Sequence, residues 1–299
     1  VKWRAGPDGL HLFDRNTGLN ILFDEADVAK SSWAPAPRQV SIALTNACEL
    51  ACPFCYAPKS AATVAAGSLC SWLDELDAAG CLGVGFGGGE PTLYRRLPEV
   101  CRYAAENTAL AVTMTTHGHR MTPELIDALV GHLNFVRVSV DGVGATYEAL
   151  RGRPFSQLLS ALDRIGDAFK FGLNCVVNEM TLSDLDAIAD LASTVGAAEL
   201  LLLPEHAVRA RSGCRSEVLG ELHAWVGTYC GPVPLAIGQG ELGPVAVARP
   251  LPHETGLRAY AHIDASANLR RNSYGANREK IDHRGVMAAA RRLERRDAE

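Results

Sequence analysis

The chain lacks any stretch approaching the ~18 consecutive apolar residues that a membrane-crossing helix requires. Its first eight residues hold charges and a Gly-Pro step where a secretory signal would be apolar. Both absences point to a cytosolic location and away from a membrane. No basic tract runs through the body, and the formal net charge is −5 at pH 7, so nucleic acid has no electrostatic reason to bind. The arginines that do cluster, Arg291, Arg292, Arg295 and Arg296, are interleaved with acids and read as a solvated helix face. No internal repeat of fixed period is present, and no low-complexity tract beyond alanine-rich stretches. Cysteine is missing from the whole stretch after Cys230.

What is present is ordinary for a globular chain: 299 residues, 47% hydrophobic and 21% charged. That length can bury a full core without disulfides. Residues 1–38 form a lead-in, in which two apolar runs, Leu10–Phe13 and Leu19–Phe23, flank Asn16-Thr17-Gly18 and predict a β-hairpin. From residue 39 the pattern alternates. Strands are expected at Val40–Leu44, Leu82–Phe86, Ala109–Thr115, Phe135–Val140, Phe171–Val177 and Glu199–Leu203, each followed by a helical stretch, the last at Ser216–Val226. Such alternation implies a parallel sheet with right-handed crossovers. The strands read as continuous apolar runs, as though both faces were covered. The six units are too few for a closed eight-stranded barrel. The fold class expected is therefore α/β, a partial (β/α)6 TIM-like barrel over residues 39–230. An N-terminal β-hairpin precedes it and a small C-terminal α+β appendage, residues 231–299, follows. Within the appendage, strand-like pieces fall at Leu235–Gly238, Val245–Ala248, Leu257–Ile263 and Leu269–Arg271, and a polar helix begins near Arg278.

The nine cysteines, in a cytosolic chain, are thiols and metal ligands rather than disulfides. Three of them, Cys48, Cys52 and Cys55, crowd directly behind the first strand of the array. Thiolates so close together can wrap one compact metal site. Iron–sulfur clusters normally take four cysteines, so a triad leaves one iron open, the mark of a reactive site. Structural zinc and unconnected buried thiols remain alternatives on spacing alone, although no His or Cys stands within ten residues of the triad to complete a zinc site.

The Cys-x3-Cys-x2-Cys spacing behind the first strand resembles the radical S-adenosylmethionine (SAM) superfamily. Further residues match in order. Phe54 corresponds to the aromatic residue that precedes the third cysteine and stacks near adenine in that family. Gly87-Gly88-Gly89-Glu90-Pro91, ending the second strand, resembles the motif that binds the methionine amine of SAM. Gly88 and Gly89 permit close backbone approach, and Glu90 can hold an ammonium. A flexible strand-to-helix turn is the bland alternative. Ser139-Val140-Asp141-Gly142, followed by Arg151, resembles a pattern of peptide-modifying members. There the serine and arginine contact the SAM carboxylate, which the resemblance implies for Ser139 and Arg151. An N-cap at Ser139 or Asp141 and a surface ion pair for Arg151 are the structural alternatives. By the same resemblance Asn174 or Asn178 reaches the ribose, and the backbone of Leu203 reaches adenine.

Two departures stand out. Thr116-His117-Gly118 occupies the place of a common Thr-Asn-Gly. Tyr260–Ser273 resembles the Ile-Asp-x-x-Gly-x4-Cys hairpin of cysteine-rich SPASM or twitch units, but Asn272 stands at the cysteine position. The resemblance thus implies a degenerate remnant without a cluster, and one [4Fe–4S] cluster in all.

Substrate-side candidates are His117, Glu205 and His206, which follow predicted strands at the mouth of the barrel, and Cys175, in the fifth strand, as a possible hydrogen donor. Solvated loop histidines and a packed thiol are the alternatives. Tyr260, His262 and Tyr274 read as hairpin packing.

The resemblance implies reductive cleavage of SAM to a 5′-deoxyadenosyl radical that abstracts a substrate hydrogen. The electron would come from a low-potential donor such as flavodoxin or ferredoxin. The substrate expected first is a ribosomally made peptide, to be crosslinked, epimerised or oxidised. A small metabolite such as a sugar, nucleoside or amino acid comes second, and a non-catalytic metal-binding scaffold is the rival of another class. The N-terminal hairpin either caps the barrel or offers an edge to a leader peptide by strand pairing.

Overall fold

The computed structural model describes residues 1–208, 212–237 and 251–296. The chain opens with three antiparallel strands, β1 (Lys2–Gly6), β2 (Gly9–Phe13) and β3 (Asn20–Phe23). The predicted hairpin is β2–β3. Strand β1 escaped the sequence pattern because Lys2 and Arg4 interrupt its apolar residues, yet their side chains serve the inner face. Buried Arg4 donates from Nε to Glu254 Oε1 at 2.7 Å and from Nη1 to the Gly80 carbonyl at 2.8 Å. This ties the small sheet to the rest of the molecule.

Then follow β4 (Gln39–Thr45), α1 (Ala66–Ala78), β5 (Gly83–Gly88), α2 (Leu97–Asn107), β6 (Ala111–Thr116), α3 (Pro123–Leu129) and β7 (Phe135–Ser139). The array continues through α4 (Gly144–Arg151), α5 (Phe155–Ala168), β8 (Phe171–Val177), α6 (Leu185–Thr194), β9 (Leu200–Pro204) and α7 (Ser216–Thr228). It ends with β10 (Leu235–Ile237), β11 (Tyr260–Ile263), β12 (Asn268–Arg270), β13 (Arg278–Lys280) and α8 (Gly285–Arg296). One sheet holds ten strands in the order β10-β9-β8-β7-β6-β5-β4-β11-β12-β13. From β10 to β11 every neighbouring pair is parallel, and the last two pairings are antiparallel. The expected six-unit array is thus present, with a further parallel strand on each side: β10 beside β9, and β11 beside β4.

The strands are not apolar on both faces. Register aligns Val40, Val84, Val112 and Ile42, Phe86, Met114 on one side, with Val136, Leu173 and Leu200 continuing it. These residues form the core with the helices. The other face carries Ser41, Gly85, Thr113, Arg137, Ser139 and Asn174, small or polar side chains that leave the interior open to chemistry. Helices meet the core through single stripes, such as Leu69, Trp72, Leu73 and Leu76 of α1. Thr122 caps α3 by accepting from the Leu125 amide at 3.3 Å.

The terminal helix starts at Gly285 rather than near Arg278. Arg278–Lys280 is instead drawn into β13 by pairing with β12. Glu75 of α1 caps α8, accepting from the Val286 amide at 2.6 Å and the Met287 amide at 3.0 Å. The strand expected at Val245–Ala248 lies outside the described residues. Among the described residues no helix is long and apolar enough to cross a membrane.

The β11–β12 turn holds Ala267 at φ 59°, the one non-glycine residue in the left-handed region among the described residues. Asp264 organises this turn, its Oδ1 accepting from the Ser266 amide at 2.9 Å and the Asn268 amide at 3.0 Å. Ala267 occupies the glycine place of the hairpin motif. A left-handed alanine costs roughly 1–2 kcal/mol, partly offset by the greater unfolded-state freedom of glycine. Ala267→Gly is therefore expected to stabilise the fold by about 1 kcal/mol, measured as a raised midpoint in urea unfolding.

Candidate functional site

The loop after β4 carries the cysteine triad. It leaves and returns on hydrogen bonds from the Asn46 amide to the Ala62 carbonyl (2.9 Å) and from the Val64 amide to the Leu44 carbonyl (3.0 Å). All three thiols are free. Cys52 is buried, Cys48 and Cys55 are half-buried, and all three pack with Leu50, Phe54, Leu150 and Val176 in a small apolar cluster apart from the main core. Burial pushes the Cys48 and Cys52 thiols above their ordinary range, and Arg151 works against that at Cys52.

The glycine-rich turn after β5 docks on this loop. The Gly89 amide donates to the Thr45 carbonyl at 2.7 Å and the Glu90 amide to the Ala47 carbonyl at 2.8 Å. A Cβ on Gly88 (φ 123°) would fall 2.3 Å from the Thr45 oxygen, and one on Gly89 would fall 2.2 Å from the Ala47 oxygen. Both glycines are thus required by the cysteine loop itself. Glu90 is 1% exposed. Its Oε1 accepts from the Thr92 amide (3.1 Å), the Thr92 hydroxyl (2.7 Å) and the Thr116 hydroxyl (2.7 Å), and its Oε2 from the His117 amide at 3.0 Å. A carboxylate offers about four lone-pair positions, and Oε2, with one donor, keeps capacity for another.

His117 is buried against the same carboxylate, its Nε2 lying 3.3 Å from both Glu90 Oε2 and Glu49 Oε1. Its Nδ1 accepts from the His119 amide at 3.1 Å. Ligand atoms of Cys48, Glu49 and His117 stand within 4.8 Å of one another. Glu49 was missed in the sequence, as was the neighbourhood of His117, because only the pairing of β4, β5 and β6 brings the ends of these strands side by side.

Ser139 ends β7 on the interior face, in register with Asn174. Asp141 is no helix cap: its Oδ1 accepts from the Val176 amide at 2.7 Å and it pairs with Arg151, while Asp184 takes the Val143 amide at the start of α4. Arg151 closes α4, reaches Cys52 Sγ from Nη1 at 3.5 Å and lies over the Phe54 ring, 5.6 Å from its centroid. It is a buried pair rather than a surface one. Asn174 faces the interior beside Arg137, whose Nη1 is 3.4 Å from its Oδ1. The amide of Asn178 is committed to Glu205, donating from Nδ2 to Oε2 at 2.9 Å. Leu203 is half-buried in β9, in register with Val176.

Glu205 is buried, whereas His206 is exposed and stacks on Tyr274 at 4.0 Å between ring centroids. His206 follows β9 and Tyr274 precedes β13, so the two sides of the sheet meet across this contact. Cys175 requires a correction. Strand alternation puts Asn174 on the interior face and turns Cys175 to the helix layer, fully buried in the main core. It does not line the barrel. Tyr260 and His262 are packed as expected, but against β4 and not within the hairpin alone. In register with Gln39 and Ser41, they share the interior face, where Ser41 Oγ lies 2.5 Å from Tyr260 Oη and 2.7 Å from His262 Nδ1. Tyr56, next to Cys55, meets the His262 ring edge-on at 6.2 Å.

Residues 42–192 match the family described as the radical SAM superfamily. The chain belongs to that superfamily. It is 33% identical over 159 residues to the Fe-coproporphyrin III synthase of Methanosarcina barkeri, covering 50% of this chain and 39% of that protein. It is 31% identical over 173 residues to the mycofactocin maturase MftC of Mycolicibacterium smegmatis, covering 54% and 43%. The chain therefore spans less than half the length of these two curated relatives. In fold it is similar to Streptococcus suis SuiB bound to S-adenosylmethionine, with a TM-score of 0.74 at 13% identity over 94% of this chain and 84% of that one.

Burial pushes His262 down to about 4, with Asp264 acting to raise it and Arg270 to lower it. The unfolded imidazole takes up its proton near pH 6.5, so the native state loses stability as pH falls from about 6.5 to about 4. The slope is at most about 1.4 kcal/mol per pH unit for one proton. Below that window both states are protonated and the effect is flat. His262→Gln is expected to shallow this part of the stability–pH curve, read by urea unfolding of the metal-free chain. An unchanged slope would refute the burial of a neutral imidazole.

Proposed function

We propose that this chain is a radical SAM enzyme that holds one [4Fe–4S] cluster through Cys48, Cys52 and Cys55 and acts on a ribosomally made peptide. The observation that carries the reading is the pinning of three free thiols, in their own apolar pocket, beside the buried carboxylate of Glu90. The donor set fits the cluster: thiolates for three irons and, among the described residues, no fourth cysteine in that pocket. When bound, the cluster supplies the single electron that splits SAM into methionine and the radical that takes a hydrogen from the substrate.

The chain's own residues bind and orient. Glu90 Oε2 accepts the methionine ammonium. Ser139 and the Nε of Arg151, which is buried without a hydrogen-bond partner, serve its carboxylate. Asn174, on the interior face, serves the ribose. Phe54 and the Leu203 backbone border the adenine. Tyr260 and His262 face the same interior and help to exclude water. Among the substrate-side candidates, His117 stands at the cysteine loop, and His206 at the seam with Tyr274. Nine free cysteines fit a reducing, cytosolic setting, where a low-potential donor such as flavodoxin or ferredoxin would deliver the electron.

Three features support a peptide substrate. Among the described residues β3 pairs with β2 alone and so presents its other edge. Trp3, Leu12 and Ile21 line up across the small sheet, and Trp3 and Phe23 are about half exposed (52% and 44%), as an added strand would require. SuiB, the fold neighbour, is known bound to the precursor peptide SuiA. A small-molecule substrate is the second reading, favoured by the likeness to an Fe-coproporphyrin III synthase.

Anaerobic reconstitution with iron, sulfide, SAM and dithionite is expected to give 5′-deoxyadenosine. Cys52→Ser should lose the cluster absorbance and this product together. Glu90→Gln should keep the cluster but weaken SAM binding about 10-fold or more, the worth of one charge-assisted hydrogen bond. Zinc in place of iron, or iron with no deoxyadenosine, would leave the scaffold reading standing. Mass change in a short peptide encoded beside the gene separates the peptide from the metabolite.

A further inference from the structure

Arg151 is placed where a charge acts on a cluster ligand. It is the last residue of α4, and Gly152 in the left-handed region (φ 64°) ends the helix there. Its side chain is only 10% exposed and that of Asp141 1%. The guanidinium stands beside the Asp141 carboxylate, Cys52 Sγ at 3.5 Å and the face of Phe54. Asp141 is itself fixed by the Val176 amide at 2.7 Å. Two opposite charges are therefore buried side by side, and the positive one reaches a thiol of the triad.

We propose that the Arg151–Asp141 pair sets the reduction potential of the iron–sulfur cluster held by the triad. This rests on the cluster-binding reading above. Reduction is a one-electron step, [4Fe–4S]2+ plus one electron giving [4Fe–4S]1+, with no bond made or broken. A cation and an N–H donor at a ligand sulfur favour the more negative state and raise the potential. In a buried site little water screens that effect. Asp141, the opposite charge paired with the guanidinium, opposes it. The pair thus places the potential between two limits: high enough to accept an electron, low enough to pass it on. Arg151 and Asp141 are positioning residues for the electron-transfer site in this role.

Two substitutions have opposite expected signs. Arg151→Met removes the cation and lowers the potential. Asp141→Asn is nearly isosteric, keeps an acceptor for the Val176 amide, uncovers the cation and raises the potential. Arg151→Lys keeps the charge without the planar fork and should fall between wild type and Arg151→Met. The test is a dithionite titration of the reconstituted holoproteins without SAM, following the reduced cluster by electron paramagnetic resonance. Opposite shifts for the first two variants support the proposal; a merely structural role would not produce them. Equal potentials in all the proteins, or shifts of the same sign, overturn it. If Arg151→Met does not fold, Asp141→Asn and Arg151→Lys decide by the same criterion. If wild type itself takes up no iron–sulfur cluster, the cluster-binding reading fails instead, and absorbance before titration separates that outcome.

Discussion

Two backbone hydrogen bonds, from the Gly89 and Glu90 amides to the Thr45 and Ala47 carbonyls, join the glycine-rich turn to the loop of cysteines. Side chains are excluded at Gly88 and Gly89 because the carbonyl oxygens already occupy the space of a Cβ. Strand β4 therefore cannot place its loop independently of β5. This fixes the distance between the thiols and Glu90, and Thr92, Thr116 and His117 then fix the carboxylate's orientation. On its other side β4 pairs with β11, so the strand that carries the triad is held along both edges. A site whose parts come from three strand ends is rigid because the sheet is rigid.

The repeating units and the triad were legible because both are local. Periodicity within about fifteen residues exposed the helices, and the cysteines announce themselves by spacing. Phe171–Val177 was placed to the residue. What failed depended on register. Cys175 and Asn174 are adjacent in sequence and point to opposite faces, which only the pairing of β8 with β7 decides. His262 and Tyr260 looked like hairpin packing until β11 was seen beside β4. His117 and Glu49, far apart in sequence, meet because successive strand ends are neighbours in space. Strand β1 was hidden by Arg4, a charge whose place is inside because Glu254 comes to meet it.

Buried charge recurs at the junctions of this fold. Arg4 with Glu254 joins the first strands to the tail, and Arg151 joins α4 to Asp141 behind β7 and to Cys52 of the cysteine loop. Neither pair is a large net source of stability, since desolvation cancels much of the attraction. Their value lies in direction: Arg4 is held between Glu254 and the Gly80 carbonyl, and Arg151 between Asp141 and Cys52 Sγ. A hydrophobic contact at either place would permit sliding. The interior face, lined by Ser41, Thr113, Arg137 and Asn174 rather than aliphatic residues, follows the same logic of polar groups held at defined positions.

The stack of His206 on Tyr274 joins the two sides of the sheet by side chains rather than by a ladder of backbone hydrogen bonds. An aromatic pair contributes about 0.5–1.5 kcal/mol beyond the area it covers, roughly one to three times the thermal energy. Tyr274 also packs on Tyr56, 5.4 Å between ring centroids, so the residue beside Cys55 and the residue behind β9 share one aromatic neighbour.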